Sequence, residues 1–543
     1  GRIQEILGRI DDHRSISLIA LFSHGIPIEF EKTHLDQAAK ARNPTLENRS
    51  DLRDLPLVTI DPKTARDFDD AVHAMPDTDP TNSGGWIIHV AIADVAFHVP
   101  PNSALDVEAR RRGNSCYFPD RVVPMLPEKL SNDLCSLRPG EERACLAARM
   151  QFDRNGRKLS HKFVRGIMKS AARLTYEQVE AARHGRTDQA TESLVEPVLS
   201  PLWKAYGSLS RARDRRAPLD LNLREREISL SSDGHVEHIG WKTNLEAHRL
   251  IEEFMIQANV SAAETLAEHK LPTIYRIHEA PPDDKLLSFK EFMASIDYNF
   301  ALGQTIKPEQ FNRLLTLTAG TDFQDLVAEL VLRTQSQAAY STNNVGHFGL
   351  NLRRYAHFTS PIRRYADLTV HRGLIRALNL GSDGLTDEEI EHLAETAEQV
   401  SGLERRAVAA ERDSTDRYLA AYLENEIGAV FSGRISGVTR FGLFVQLSDT
   451  GADGFVPMRT LDSDRYRHDA ASHALVGTHN RGIFRLGQSV KVRLDEAAPI
   501  SGALRFTMLS DPESGRPAKG RKRASPSKPQ KSRRARKRTR SRK

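Results

Sequence analysis

The stretch of this sequence with the most obvious chemical potential is TIDPKTARDFDD, residues 59–70. It places four aspartates, Asp61, Asp67, Asp69 and Asp70, within ten positions. Neighbouring carboxylates repel one another, and burying them is costly unless a cation or hydrogen bonds compensate. Pro62 and the KTAR segment can supply the turn that lets the four side chains converge. The segment therefore predicts a site that binds a partner of opposite charge.

Magnesium is the partner that best suits this set of ligands. Mg²⁺ prefers oxygen ligands and binds where one or two carboxylates meet substrate phosphates. Two such ions would activate a water molecule and stabilise the leaving oxygen when a phosphodiester is cleaved. A calcium loop is one alternative, although the spacing lacks the glycine and the distal glutamate of an EF-hand. A solvated acidic loop is the other.

A second segment, HFGLNLRRYAHFTSPIRRYADL at residues 347–368, alternates arginines with aromatic residues. Arginine forks match phosphate oxygens and aromatic rings stack on bases, so this mixture predicts a path for RNA. The alternative is that half of these residues form salt bridges and core packing, and for the tyrosines the two interpretations are equally weighted. Pro361 after Ser360 predicts a helix start with Ser360 as its N-cap. The residues concerned are Arg353, Arg354, Arg363, Arg364, Tyr355, His357, Phe358 and Tyr365.

The elements that carry these segments follow from length and periodicity. A chain of 543 residues is too long for one hydrophobic core, so several domains are expected. The segment WIIHVAIADVAFHV predicts strand structure, and LEAHRLIEEFMIQANVSAAETLAEHK predicts a helix with one buried face, in which Glu252 and Glu253 face solvent or form ion pairs. Residues 384–426 are strongly helical, and Thr386 and Glu389 have the spacing of a capping box.

From Ile427 onward five short strand-like runs predict a small OB-type barrel, a fold whose open face commonly binds single-stranded nucleic acid. Phe441 and Phe444 flank Gly442 as a stacking platform would. Because neighbouring strand residues point to opposite faces, at least one of the two rings is expected in the barrel core.

Charge and composition add three further expectations. Residues 511–543 carry fifteen Lys or Arg and two acidic residues, a net +13, which leaves −7 on the first 510 residues. This tail is expected to be disordered and to attract polyphosphates, with a solvated appendage as the alternative. No apolar run is long enough for a membrane span and no signal peptide is visible, which predicts a cytoplasmic protein. Three cysteines in no metal-ligand spacing predict reduced structural thiols.

Six motifs together resemble the ribonuclease II and ribonuclease R family of exoribonucleases, with ribonuclease R the nearer match. They stand in the family's order between about residues 55 and 510, and they are TIDPKTARDFDDAV, RGNSCYFPDRVVPMLPEKLSNDLCSL, LIEEFMIQAN, YRIHEAPPDDKL, HFGLNLRRYAHFTSPIRRYADL and SGRISGVTRFGLFVQL. The resemblance implies an α+β multidomain protein. A mixed α/β catalytic domain of the ribonuclease II type precedes a five-stranded OB-type (S1) barrel and a disordered basic tail.

The resemblance also implies an activity and a site. The activity is processive 3′-to-5′ hydrolysis of single-stranded and structured RNA to nucleoside 5′-monophosphates, which leaves a short end oligomer and serves RNA turnover and quality control. The four aspartates would hold Mg²⁺, with Mn²⁺ as a substitute, and the terminal nucleotide. Asp61 and Asp70 would be direct ligands, while Asp67 and Asp69 would be both ligands and catalytic residues.

Other residues take their expected roles from the same resemblance. Arg363 would grip the scissile phosphate, and Tyr117 would pack on the terminal base and set the final product length, unless it is a core aromatic. Glu411 would contact RNA, although its position in the sequence by itself indicates only an exposed charge on a helix. The remaining residues expected to contact RNA are Arg364, Tyr365, Tyr355, His357, Phe441 and Phe444.

Domain boundaries and partners complete the prediction. Family members carry two cold-shock domains before the catalytic domain, and residues 1–50 have room only for a remnant of the second one and a linker. The catalytic domain is predicted at 51–383, a helical connector at 384–426, the barrel at 427–510 and the tail at 511–543. The expected partner is single-stranded RNA or RNA with a 3′ overhang, with ribosome-associated or structured RNAs reached through the tail, no membrane, and a monomeric state. The alternative function is a catalytically inactive RNA-binding relative, against which the four aspartates and Arg363 argue.

Overall fold

The computed structural model describes residues 14–221, 225–303, 305–321, 323–461, 464–470 and 472–514. The basic tail that the composition predicts to be disordered lies outside the described residues from position 515 onward, as do the first 13 residues. Among the described helices, none is both long enough and apolar enough to cross a bilayer.

The body of the protein is organised around one mixed β-sheet. Seven strands form it in the order β1-β8-β7-β4-β3-β2-β9. The β1–β8 and β2–β9 pairs are parallel, and the other neighbours are antiparallel. The first nine strands, of which β5 and β6 form a separate hairpin, are β1 Ser50–Leu52, β2 Val58–Asp61, β3 Asp70–Pro76, β4 Trp86–Ala93, β5 Cys116–Tyr117, β6 Val122–Val123, β7 Glu142–Phe152, β8 Lys158–Lys169 and β9 Ala172–Thr175. The predicted strand WIIHVAIA becomes β4, which is almost continuously apolar because both of its faces are covered.

Helices cover both faces of this sheet and continue into the second half of the chain. They are α1 Ser15–Ser23, α2 Lys32–Lys40, α3 Val95–His98, α4 Ala104–Arg112, α5 Tyr176–Arg183, α6 Ser200–Arg216, α7 Glu246–Glu268, α8 Asp283–Ser295, α9 Pro308–Thr318, α10 Gln324–Thr334, α11 Tyr365–Ala377, α12 Asp387–Glu391 and α13 Leu393–Leu423. Apolar residues of α5, α6, α7 and α11 fill the core on one face. Residues of α4, α11 and the start of α13 fill the core on the other.

Two helix predictions are confirmed in detail. The periodic segment predicted from Leu245 forms α7, in which Glu252 is exposed and Glu253 is buried. The Glu253 carboxylate forms ion pairs with Arg213 at 3.3 Å and Arg216 at 3.2 Å, as a buried charge requires. The capping box at the start of α12 is also present, with Thr386 and its partner three residues later bonded reciprocally.

The predicted helix start at Pro361 is wrong. Residues 361–364 form a turn in which the backbone N–H groups of Arg363 and Arg364 donate to the Ser360 carbonyl, and α11 begins only at Tyr365. The side chain of Asp367 accepts a hydrogen bond from the Ser360 N–H at 2.8 Å, so Ser360 is held by the helix instead of capping it.

The C-terminal part contains the predicted five-stranded closed barrel, formed by β14, β15, β16, β21 and β20. All five strand-like runs are confirmed as its strands. The strands after β9 are β10 Arg226–Leu230, β11 Val236–Trp241, β12 Tyr275–Ile277, β13 Ala339–Ser341, β14 Val430–Thr439, β15 Gly442–Leu447, β16 Asp453–Pro457, β17 Tyr466–Asp469, β18 Ala474–Gly477, β19 Gly482–Arg485, β20 Ser489–Ala498, β21 Ala503–Met508 and β22 Glu513–Ser514. The overall fold class, a mixed α/β domain followed by this barrel, is therefore as predicted.

Some elements have no counterpart in the sequence-based prediction. A four-stranded sheet combines β17, β18 and β19, which lie in the chain between the third and fourth barrel strands, with β22, which follows the last barrel strand. Its strands have four residues or fewer and include charged positions, so their periodicity is too short to be recognised. Residues 14–49, where a cold-shock remnant is expected, hold the helices α1 and α2, and α1 packs along α13.

All three cysteines are free and buried, as predicted for structural thiols. Cys116 lies in the core formed by α1, α13 and the β5–β6 hairpin, whereas Cys135 and Cys145 lie in the core between the central sheet and the helices α4, α11 and α13.

Candidate active site

The four aspartates lie at one edge of the central sheet, where two adjacent strands meet. Asp61 is the last residue of β2 and Asp70 is the first residue of β3. These strands are antiparallel neighbours, with Val58 paired to Val72, so the ends that carry the two carboxylates lie side by side. Asp67 and Asp69 lie on the connecting loop. The strand pairing therefore brings the four aspartates to one edge of the sheet, where their charges act on one another.

Burial and mutual repulsion perturb these carboxyl groups strongly. Burial, followed by the nearby charge of Asp70, raises the pKa of Asp61 to about 8. Burial raises the pKa of Asp70 to about 6, against the opposing effect of Arg363 and Arg364. Burial also raises the pKa of Asp69 well above its usual range. The cluster is thus a buried site that favours the arrival of positive charge.

Two oxygens of the cluster have no hydrogen-bond partner within the described residues. They are Oδ2 of Asp61 and Oδ2 of Asp69, and both are buried. Buried polar atoms are nearly always satisfied, so such oxygens require an explanation, and a role as ligands of a cation is one. Among the described residues no three His, Cys, Asp or Glu side chains form a ready-made metal cage. Mg²⁺ needs only one or two carboxylates together with water and substrate phosphates, so the residues fit this ion.

The turn before α11 holds Asp69 and brings Arg363 to it. The Ile362 N–H donates to Asp69 Oδ1 at 2.9 Å, and Arg363 Nε lies 3.6 Å from Asp69 Oδ2. The Arg363 side chain is 42% exposed and also donates to Ser360 Oγ. A partly exposed guanidinium beside the acidic cluster is well placed to engage an incoming phosphate.

Arg364 has a different environment from Arg363. Its Nε and Nη2 atoms donate to the two oxygens of the fully buried Asp367 carboxylate, both at 2.8 Å. This bidentate pair holds Arg364 within the protein. The predicted role of Arg364 in contacting RNA therefore competes with a structural role.

Tyr117 stands beside the acidic cluster on the β5–β6 hairpin. Its hydroxyl donates to Asp67 Oδ2 at 3.1 Å, and its backbone N–H donates to Glu411 Oε1 at 2.7 Å. The side chain is 41% exposed, so one ring surface is available to a base. Glu411, on α13, is half-buried, and burial raises its pKa. The structure thus brings Tyr117 and Glu411 together with the aspartates, and Glu411 holds the backbone that carries the tyrosine.

The aromatic residues on both sides of the turn contact the protein interior. Tyr365 is buried and its hydroxyl donates to Asp106 Oδ1 at 2.9 Å. Tyr355 is buried and accepts a hydrogen bond from Asn259 Nδ2 at 3.0 Å. His357 Nδ1 and the Tyr340 hydroxyl are 2.8 Å apart, and burial lowers the His357 pKa well below its usual range. For both tyrosines this favours the alternative of core packing, because their ring faces are already covered.

On the barrel, the expectation that at least one phenylalanine is a core residue is wrong. Phe441 is 65% exposed and Phe444 is 42% exposed. Phe441 precedes β15 in the tight turn after β14, where strand alternation does not apply, and the Arg440 guanidinium lies 4.6 Å from its ring centroid. Phe444 lies on the outer face of β15, with its ring centroid 5.2 Å from that of Phe455. Both rings are therefore accessible to bases.

Three residues near the cluster, Arg173, Thr175 and Tyr176, were not identified from the sequence. Strand β9 pairs in parallel with β2 and places Thr175 opposite Asp61. The next residue, Tyr176, stacks on His248 with ring centroids 4.0 Å apart, and burial together with the charges of Asp70 and Asp61 raises its pKa. Arg173 donates to the carbonyls of Pro62 and Lys63 and so fixes the turn of the aspartate loop. More than 100 positions separate these residues from the aspartates, and only strand pairing brings them close.

A small cavity adjoins Tyr117 and Arg363. It has a volume of about 210 Å³, and its lining includes Asn114, Arg364, Glu404 and Glu411. The Asn114 Oδ1 atom is buried and accepts no hydrogen bond within the described residues. Asn114 also bridges to Arg364 through the backbone, and this contact ties the Tyr117 hairpin to the arginine turn.

Comparison with known proteins gives two family matches. Residues 49–380 match the RNB domain family, and residues 424–497 match the S1 RNA binding domain family. Ribonuclease R of Escherichia coli strain K12 is 38% identical over 528 residues, which cover 94% of this chain and 64% of that protein. The chain therefore spans less than two thirds of that relative.

Solved structures give the same picture. A structure of Mycoplasma genitalium ribonuclease R in complex with ribose-methylated single-stranded RNA superposes with a TM-score of 0.88, at 30% identity, over 93% of this chain and 79% of that one. A complex of the same protein with double-stranded RNA gives a TM-score of 0.82 at 30% identity, over 93% of this chain and 85% of that one.

Proposed function

This chain belongs to the ribonuclease R family of RNB-domain proteins, and from that membership we propose that it is a divalent-metal-dependent exoribonuclease that degrades RNA from its 3′ end. The products are nucleoside 5′-monophosphates and a short end oligomer. The substrates are single-stranded RNA and structured RNA with a 3′ overhang. The relatives solved with single-stranded and double-stranded RNA support this choice of substrates.

The observation that carries the proposal is the buried acidic cluster beside Arg363. Four aspartates lie at one sheet edge, two of their buried oxygens accept no hydrogen bond within the described residues, and burial raises the pKa of three of them. A protein that only binds RNA gains nothing from a desolvated negative cluster, because the cluster repels phosphates. A hydrolase benefits from such a cluster, because bound divalent cations convert it into a site that binds phosphate.

Each residue of the site then has a role. Asp61 and Asp70, with Asp67 and Asp69, would hold Mg²⁺ or Mn²⁺, which supplies Lewis-acid stabilisation of phosphoryl oxygens and a nucleophile at neutral pH. Arg363 donates to the scissile phosphate and offsets the charge that develops there.

Two further residues position the terminal nucleotide. The Tyr117 ring packs against the last base. The hydrogen bond from the Tyr117 hydroxyl to Asp67 connects this ring to the acidic cluster. Glu411 holds the Tyr117 backbone and lines the same small cavity.

Binding outside the catalytic body is proposed for the barrel and the tail. The exposed rings of Phe441 and Phe444 provide a stacking surface for single-stranded RNA. The basic tail would attract structured or ribosome-associated RNA through its phosphates. We also propose that the protein acts as a monomer in the cytoplasm, in RNA turnover and quality control.

A direct assay separates this enzyme from its inactive alternative. Purified protein is incubated with a 5′-labelled oligoribonucleotide, with and without EDTA. A ladder that requires metal and ends in a short oligomer supports the exoribonuclease. RNA that is retarded in a gel but remains intact supports a binding protein without catalytic activity.

A further inference from the structure

A processive exoribonuclease must release its product while the substrate still fills the entry channel, so the mononucleotide needs a second opening. Resting on the function proposed above, we propose that the product leaves through the groove beneath the aspartate loop, and that Arg66 guides its phosphate. The ligand is a nucleoside 5′-monophosphate, an anion with one planar base. We call this feature the exit groove and define it by two adjoining cavities.

The first cavity begins at the catalytic residues themselves. It has a volume of about 560 Å³, and its lining includes Asp67, Tyr117, Ser131 and Asn132. The second cavity has a volume of about 630 Å³ and reaches Lys129 and Arg138. The two share the lining residues Ala65, Arg66, Glu128 and Asn132, so they adjoin one another along these side chains. Both volumes lie within the range of about 300–1,000 Å³ that is usual for small-molecule sites.

The other cavity at Tyr117 is less suited to release. Its volume is about 210 Å³, and it is bounded by Arg363 and by α13 residues such as Glu404 and Glu411. That volume is below the usual range for a small-molecule ligand, and Arg363 and Glu411 belong to the proposed substrate contacts. Tyr117 lines both cavities, so a nucleotide freed at its ring has the larger groove directly beside it.

The charges along the exit groove suit the passage of an anion. Lys129 and Arg138 both form ion pairs with Asp133, at 2.6 and 3.3 Å, and Arg121 pairs with Asp120 at 2.8 Å. Arg66 is exposed, and within the described part of the chain its guanidinium forms neither an ion pair nor a hydrogen bond. It is therefore available to a phosphate.

Glu128 lies in both cavities and opposes tight binding of the same anion. A release path needs binding that is favourable enough to admit the product and weak enough to let it leave. Arg66 and Glu128 together meet this requirement.

Hydrogen bonds tie two of the segments that line the groove to neighbouring elements. Arg173 holds the Pro62 and Lys63 carbonyls on the aspartate loop. On the opposite wall the Ser17 hydroxyl donates to Asp120 at 2.5 Å, and this bond ties the loop after Tyr117 to α1.

Two variants test the proposal by different means. Arg66→Glu reverses the guiding charge, and Asn132→Trp fills the groove where the two cavities meet. Lys63→Glu is the matched control, because it makes the same charge change on the same loop but does not line either cavity. Rapid-quench measurement of the first cleavage, the steady-state rate, and inhibition by added AMP are recorded for each.

Release through the groove predicts that the first cleavage changes less than twofold in both variants. In Arg66→Glu, either the steady-state rate should fall by about tenfold or the AMP concentration for half inhibition should rise by about tenfold. This is the factor expected for loss of one charge-assisted contact. Lys63→Glu should match the wild type in all three measurements.

Three outcomes overturn the exit groove. The steady-state rate and AMP inhibition are unchanged in both variants, or the first cleavage slows as much as the steady state, or Lys63→Glu behaves like Arg66→Glu. In each of these cases the wild type still shortens RNA and the proposed function stands. A wild-type protein that does not shorten RNA at all removes both proposals.

Discussion

The ion pairs of Asp94 lie directly behind the acidic cluster, and their removal should have a large and measurable cost. Asp94 follows β4, and the N–H of the preceding residue, Ala93, donates to the Asp69 carbonyl at 2.9 Å. The Asp94 carboxylate is fully buried and accepts from Arg165 at 2.6 and 3.0 Å and from Arg49 at 2.8 Å. The perturbation is Asp94→Asn, which keeps the shape and removes the charge.

The expected magnitude follows from the pKa of this group. Burial alone would raise the Asp94 pKa, but the guanidinium groups of Arg165 and Arg49 outweigh it and lower the pKa from 3.8 to about 2. At 1.36 kcal/mol per pKa unit this corresponds to about 2 kcal/mol of folding free energy at neutral pH. Removing one partner from a buried pair leaves arginine charge uncompensated, which costs about 3–5 kcal/mol. We therefore expect Asp94→Asn to lower the free energy of unfolding by about 2–4 kcal/mol.

The pH dependence has a definite sign. Because the folded-state pKa lies below the unfolded value, the ionised carboxylate stabilises the folded chain above about pH 4. This contribution is lost as the pH falls from 4 to 2, since the carboxyl then binds a proton in the folded state as well. The stability difference between wild type and Asp94→Asn should shrink over the same interval.

Urea unfolding, followed by circular dichroism at pH 7 and at steps down to pH 3, is the assay. The midpoint should fall in Asp94→Asn with little change in the slope of free energy against urea. Asp383→Asn is the control, because Asp383 also pairs with Arg165 but its side chain is 20% exposed, so the loss of its charge should cost less than the loss of the fully buried Asp94 charge. Equal midpoint shifts in the two variants, or no shift in Asp94→Asn, would refute the reasoning.

Four further predictions concern activity. Asp69→Asn retains an acceptor for the Ile362 N–H but loses the charge near Arg363, so it should bind RNA in a filter assay and cleave it at least about 100-fold more slowly; undiminished turnover would contradict its assignment. Tyr117→Ala removes the exposed ring and should lengthen the end oligomer on a sequencing gel, and an unchanged end product would remove Tyr117 from the terminal contact. Chelation of divalent ions should abolish cleavage, Mg²⁺ or Mn²⁺ should restore it, and the RNA affinity measured with EDTA should survive in part through the barrel. The double substitution Phe441→Ala and Phe444→Ala should weaken single-stranded RNA binding by about 1–3 kcal/mol per lost stack with the rate of the first cleavage unchanged, and equal affinity would show that the barrel rings do not stack on bases.

Local sequence patterns were sufficient for much of the fold. The apolar runs of β4 and the five barrel strands, the face of α7 and the capping box at Thr386 all depend on residues close together in the chain. Hydrophobic periodicity and capping involve residues within one to three helical turns or one strand, so these features can be predicted from the sequence without knowledge of the fold. The aspartate motif could be recognised for a related reason. Four carboxylates within ten residues repel one another, so a bound cation or hydrogen bonds must offset that repulsion.

The tertiary structure alone decided which side chains face RNA and which face the core. Tyr355 and Tyr365 share the same motif with Arg363, yet the tyrosines are buried against Asn259 and Asp106 while Arg363 stays half exposed beside Asp69. Phe441 lies in the turn before β15, so the alternation of strand residues between two faces does not determine its exposure. Tyr176 and Arg173 lie near the aspartates because β9 pairs in parallel with β2. The cavities of the proposed exit groove are lined jointly by the aspartate loop and the segment 128–132. In each case the deciding partner lies distant in sequence, and burial and charge at a site are sums over neighbours that only the folded chain supplies.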